Sequence, residues 1–124
     1  MLHVELNMMS RSFAVEFIDG EGNIRRIFRR VAVVRDRISA TRWIYDGDRR
    51  AVEDIIEQYE NAAQIINIEL PHWGVAKVTL QVGEFVQTFT VEGLDFVTIE
   101  GQLIEPRDGY VEEFIYKLFG IKNK

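Results

Sequence analysis

The chain has 124 residues, of which 47 % are hydrophobic and 28 % charged, with a net charge of −5 and no cysteine. That length suits one domain spanning residues 1–124, with enough apolar side chains to close a core without a disulfide or a zinc–thiolate centre. No run approaches the roughly 18 apolar residues of a membrane helix, and Met1–Glu5 carries no basic leader, so the expected location is cytoplasmic.

In chain order, Leu2–Met8 alternates loosely as a strand, and 13–18 alternates better, with Phe13, Val15 and Phe17 on one face. Asp19-Gly20-Glu21-Gly22-Asn23 supplies turn residues for a hairpin. Residues 24–34 fit either a helix with four arginines on one side or a long strand. The β-branched end Val31-Ala32-Val33-Val34 and the preceding turn favour the strand. The distinction matters, because a regular strand divides Arg25, Arg26, Arg29 and Arg30 between two faces unless a bulge reunites them.

A short strand is expected over 40–45, and Asp46-Gly47-Asp48 caps a helix over about 49–66. In that helix Ala51, Val52, Ile55, Ile56, Tyr59, Ala62, Ala63 and Ile66 form an apolar stripe opposite Glu53, Asp54, Glu57 and Glu60. Leu70 to Gly74 breaks the pattern. Three strands follow, 75–82, 85–91 and 94–99, the last running toward Ile104, and their tight turns predict an antiparallel meander. A final helix over 108–119 presents Val111, Phe114, Ile115 and Leu118, with Gly120 at its C-cap. The expected fold is α+β: N-terminal antiparallel strands and a C-terminal meander packed with two helices.

The chemistry-bearing motifs are sparse. His3 and His72 have no metal-ligand spacing, and Ser10, Ser12 and Ser39 lie in no nucleophile motif, so no catalytic residue, metal or cofactor is assigned. Helix, three antiparallel strands and helix is also the order of the core of small metal-dependent nucleases. Glu100-Gly101-Gln102 occupies the place of their Glu-x-Gln pair, but the middle strand has no Asp, and Asp95 lies five residues from Glu100.

Charge is more informative. Residues 1–50 sum to +3 with ten arginines as their only cations, and residues 51–124 sum to −8. Seven arginines fall between positions 25 and 42, with Phe28, Trp43 and Tyr45 nearby. Arginine forks suit phosphates and aromatic planes suit bases, so Arg25, Arg26, Arg29, Arg30, Arg42, Trp43 and Tyr45 are the candidate ligand-binding residues. The expected function is non-catalytic binding of an anionic, phosphorylated or nucleotide-like ligand, or of an acidic partner. The net negative charge argues against duplex nucleic acid. Two alternatives stand beside it: an acidic inhibitor or immunity-type protein acting through its helices, and a nuclease-like enzyme. With 8 Phe, 4 Tyr and 2 Trp, more aromatic surface is present than one small core needs, so a homo-oligomer is also expected.

Overall fold

The computed structural model describes residues 2–122. It contains β1 (Leu2–Asn7), β2 (Ser12–Ile18), β3 (Ile24–Val34), β4 (Arg37–Ala40), β5 (Ile44–Tyr45), α1 (Arg49–Ala62), β6 (Ala63–His72), β7 (Val75–Val82), β8 (Phe85–Val91), β9 (Val97–Ile99), β10 (Gln102–Ile104) and α2 (Tyr110–Phe119). The fold is α+β with antiparallel sheets and two helices, as the patterning predicts. Among the described residues no helix is long and apolar enough to cross a membrane.

The first sheet has the order β1-β2-β3-β4, with β5 also paired to β3. The Asp19 carboxylate shapes its first hairpin by accepting the backbone N–H groups of Glu21 (2.9 Å) and Asn23 (2.8 Å). The strand assignment of 24–34 holds, but the expected single strand over 40–45 does not. Val31–Val34 instead pairs with Arg37–Ala40 through a two-residue turn, in which Arg35 (φ 50°) and Asp36 (φ 65°) take the left-handed conformation. Only Ile44–Tyr45 then returns, opposite Ile27 and Phe28. The turn escapes a sequence reading because Arg-Asp lacks the glycine or asparagine that usually marks it.

α1 begins where expected, with the Asp48 side chain accepting the Arg50 N–H. It ends at Ala62 rather than Ile66, and Ala63 already has φ −76° and ψ 134°. Residues 63–66 belong to β6, so the three-stranded meander is β6-β7-β8 and not the one expected over 75–99. The cause is a register shift around Ile66 in the β6–β7 pairing. Ala63 and Ile65 precede it and Ile68 and Leu70 follow it on the core side, so the inward positions change parity and resemble helical spacing. Ile66 itself is left largely exposed.

The expected third strand divides in the same way. Leu94 and Phe96 are buried in irregular chain, and β9 pairs only with β10. The Leu94 N–H donates to the Gly74 carbonyl at 3.0 Å. A side chain at Gly74 would bring a Cβ within 2.9 Å of the Leu94 carbonyl oxygen, so glycine is required where the two segments cross.

One continuous core joins both larger sheets to both helices. Phe13 on β2 lies at its centre, with ring centroids 4.7 Å from Phe119, 6.0 Å from Tyr59 and 6.2 Å from Phe89. Burying rings of this size contributes a large share of the folding free energy, about 25 cal/mol per Å2 of apolar surface. Both helices pack against the same side of β3, which leaves the opposite side of the first sheet without a helix.

Candidate functional site

β2 and β3 pair without interruption from Ser12–Arg30 to Ile18–Ile24, so no bulge brings the four β3 arginines together. Alternation places Arg25 and Arg29 on the side of the buried Ile27 and Val31, and Arg26 and Arg30 on the outer side with Phe28. Arg25 closes the first hairpin through its Nε, 3.1 Å from the Asp19 carboxylate. Outside, Arg26 and Arg30 stack over Phe28 at 5.9 and 5.8 Å, and Arg26 also approaches Glu5 and Glu16 at 3.8 and 3.7 Å. Arg42 is exposed and makes no ion pair among the described residues, and Tyr45 is half-buried opposite Ile27. Of the seven candidate residues, the fold therefore brings only Arg29 to a concave surface, with Trp43 stacked against its guanidinium.

Arg29 is held on three sides. Its Nε donates to the Lys117 carbonyl in the last turn of α2 at 2.9 Å, and its guanidinium carbon lies 5.1 Å from the Trp43 ring. That ring stands edge-on to Tyr59 at 5.2 Å, and its indole N–H donates to the Glu60 carboxylate at 3.0 Å. Gly120 closes the third side. A Cβ there would come within 2.6 Å of Trp43 Cζ2 and 2.9 Å of Arg29 Cδ and Nη1, and the residue has φ 72° at the helix C-cap. The guanidinium is thus fixed in position before any ligand arrives.

Beside it opens a cleft of about 860 Å3 between the C-terminal ends of α1 and α2 and the start of β6. Asn61, Gln64, Tyr116 and Lys122 line it together with Arg29, Glu60 and Lys117. Lys117 is committed elsewhere, to the Ile38 carbonyl at 2.6 Å and to Glu113 at 2.8 Å. That leaves Arg29 and Lys122 against the single carboxylate of Glu60, so the cleft carries a small local excess of positive charge on a protein of net charge −5.

Burial draws the Arg29 pKa below its usual value, opposed by the nearby Tyr59 and Glu60. Arginine nevertheless remains protonated in proteins, so the site holds a partly desolvated cation. No carboxylate lies within ion-pair distance of Arg29 among the described residues. Burial likewise pushes the Tyr59 hydroxyl well above its ordinary range, partly offset by Arg29. Tyr59 is therefore a neutral donor, and its hydroxyl is used on the Phe119 carbonyl.

Sequence reading missed Asn61, Gln64, Tyr116 and Lys122, because α1, β6 and α2 meet only in the folded chain. The one usable signal was the predicted Gly120 C-cap, which marks where α2 ends and its flanking lysines gather. Other sequence features fall outside the cleft. Glu100 is the first residue of the β9–β10 turn, at φ 50° and exposed, rather than part of a strand. Among the described residues no three His, Asp or Glu side chains gather in an arrangement able to hold a metal ion. His3 bonds the neighbouring Glu5 at 3.2 Å, and His72 is exposed at the end of β6. Compared with protein-family models, curated proteins and solved structures, the chain matches none.

Proposed function

We propose that this chain is a binding protein whose ligand is a small phosphorylated or nucleotide-like anion, held in the cleft by Arg29. The observation that carries this reading is a half-buried, pre-positioned guanidinium without a carboxylate partner, facing a basic concavity. A partly desolvated cation gains more from an incoming oxyanion than a surface cation does, since the anion replaces hydration already lost. The cleft volume lies within the roughly 300–1,000 Å3 of small-molecule sites, whereas the outer arginines lie on an open sheet face. Lys122 supplies a second charge, and Asn61, Gln64 and Tyr116 supply orienting hydrogen bonds.

The test uses Trp43 emission in a Trp73→Phe background, which leaves Trp43 as the sole tryptophan. Inorganic phosphate, pyrophosphate, AMP and ATP are titrated in turn. Saturable quenching is expected for at least one of them. Arg29→Lys, which keeps the charge but removes the fork, weakens that binding about tenfold or more. Arg30→Ala on the opposite face leaves it unchanged. Absence of saturable binding, or equal affinity in Arg29→Lys and Lys122→Ala, would overturn the assignment.

A further inference from the structure

Two strands of this fold close their sheets without an outer partner, and they border one another. β1 is the outer strand of the first sheet and β8 of the three-stranded sheet, and neither pairs on its second side among the described residues. A cleft of about 640 Å3 lies between them, lined by residues 4–9 on the β1 side and 87–90 on the β8 side. Consecutive rather than alternate residues line it, as happens where a cleft runs along strand edges instead of across a sheet face.

The ladders decide which backbone groups reach this cleft. The two-residue turn after Val82 closes on a pair that exchanges both hydrogen bonds, so Phe85, Gln87, Phe89 and Val91 are used on β7. Alternation leaves the N–H and C=O groups of Val86, Thr88 and Thr90 on the free edge. In the first hairpin the Asp19 N–H bonds the Asn23 carbonyl at 2.9 Å, so Phe13, Val15 and Phe17 bond β3, and Ser12, Ala14 and Glu16 bond β1. Their partners Asn7, Glu5 and His3 are thereby used, and the groups of Val4 and Leu6 face outward. Both walls of the cleft thus carry unpaired main-chain donors and acceptors. The β8 wall has none of the usual defences of an edge, since Phe85–Val91 contains no charge, proline or register shift.

We propose that this slot takes an extended segment of a partner protein, which hydrogen-bonds β1 on one side and β8 on the other and joins the two sheets. The pattern selects that occupant, because an extended main chain repeats donors and acceptors along both of its edges. A strand of a second copy does not qualify. Every described strand is already paired on at least one side, so it could serve only one wall. The segment must instead come free of any sheet and order on binding. Residues 87–90 set a bonded stretch of about 13 Å at about 3.3 Å per residue. Buried Val4 and Phe89, with Leu6 packed on the core, form the floor and ask for apolar side chains at alternate positions. Thr88 and Thr90 border the outer side and suit small polar ones. Glu5 is the one charged lining residue and is engaged with His3 and Arg26, so a neutral segment fits.

The probe is a displayed library of random twelve-residue peptides selected on the full chain, with the strongest binder synthesised and titrated by calorimetry. NMR amide exchange reads the contact by residue. The Leu6, Thr88 and Thr90 N–H groups are expected to exchange readily alone and to slow together, about tenfold or more, with peptide. N-methylation within the peptide is expected to weaken binding about tenfold at either of two successive positions, because both edges are bonded. Thr88→Pro removes an N–H that the β7 ladder does not use, and weakens binding by a similar factor with an unchanged circular dichroism melt. Arg29→Lys binds the peptide as wild type does, which keeps this test separate from that of the anion cleft. Protection of one strand only, or sensitivity at one of the two positions only, overturns the proposal in favour of pairing at a single edge. Protection that grows with protein concentration in the absence of peptide overturns it in favour of a second copy. A library yielding no saturable binder overturns it as well.

Discussion

The Tyr59 hydroxyl, buried in the last turn of α1, donates to the backbone carbonyl of Phe119 at 2.5 Å and so fastens the two helices at their shared end. The carbonyls in the last turn of a helix have no partner within the helix, and this one is buried where water cannot supply it. Arg29 serves the Lys117 carbonyl of the same turn, and the Ile121 N–H serves that of Tyr116 at 2.9 Å. The end of α2 is therefore satisfied from α1, from β3 and from its own C-cap together.

Tyr59→Phe keeps the ring and its packing against Phe13 and Trp43 but leaves the Phe119 carbonyl unsatisfied. A loss of about 1–3 kcal/mol in unfolding free energy is expected from urea denaturation. A change below about 0.5 kcal/mol would mean that the carbonyl finds another donor.

The Arg35-Asp36 turn holds two non-glycine residues at positive φ, each in a region that costs an L-residue about 1 kcal/mol or more. Replacing the pair by Asn-Gly relieves that strain and keeps the backbone carbonyl of residue 36, which accepts Arg107 Nε at 3.2 Å. A gain of about 1 kcal/mol in stability is expected, read as a higher midpoint in thermal or urea unfolding with an unchanged m-value.

Acid should weaken the fold in a definite direction. Glu113 is held below the usual carboxylate range by Lys117 and then Arg107, and Asp19 is held below it chiefly by the Asn23 N–H, with Glu21 and Arg25 assisting. A carboxyl whose folded pKa is depressed contributes stability above its unfolded pKa and loses that contribution as pH falls through the folded value. Melting temperature should therefore fall between about pH 5 and pH 3. Glu113→Gln should melt below wild type at pH 7, and the gap should narrow at pH 3. A gap independent of pH would assign the effect to packing rather than to charge.

Much of this fold was legible in the residues. The alternation of 75–82, the amphipathic stripe of α1, the Gly120 cap and the β-branched end of β3 are local signals, and each led to the element the chain adopts. What stayed hidden depends on pairing. The shift at Ile66 gives strand β6 a helical look, and the Arg35-Asp36 turn lacks its usual residues because the pairing of Val31–Val34 with Arg37–Ala40 holds it in place. The candidate site was half legible for the same reason. Arg29 and Trp43 were read from composition and proximity, but only tertiary structure separates Arg29 from Arg26 and Arg30. The cleft residues of β6 and α2 carried no signal that local sequence can express.

The dependence of the Arg29 corner on α2 bears on how the protein is made. The first sheet is encoded entirely before Asp46, yet Phe13 packs on Phe119, Arg29 bonds Lys117, and the Ile38 carbonyl waits for the Lys117 ammonium, 79 positions away. A ribosome adding about 5–20 residues per second would thus extrude the whole sheet, with its apolar inner face unshielded, well before the helix that shields it. Closure over such distances in the chain is slow. The interval before Tyr110–Phe119 emerges is when the inner face of the sheet lies most open to aggregation.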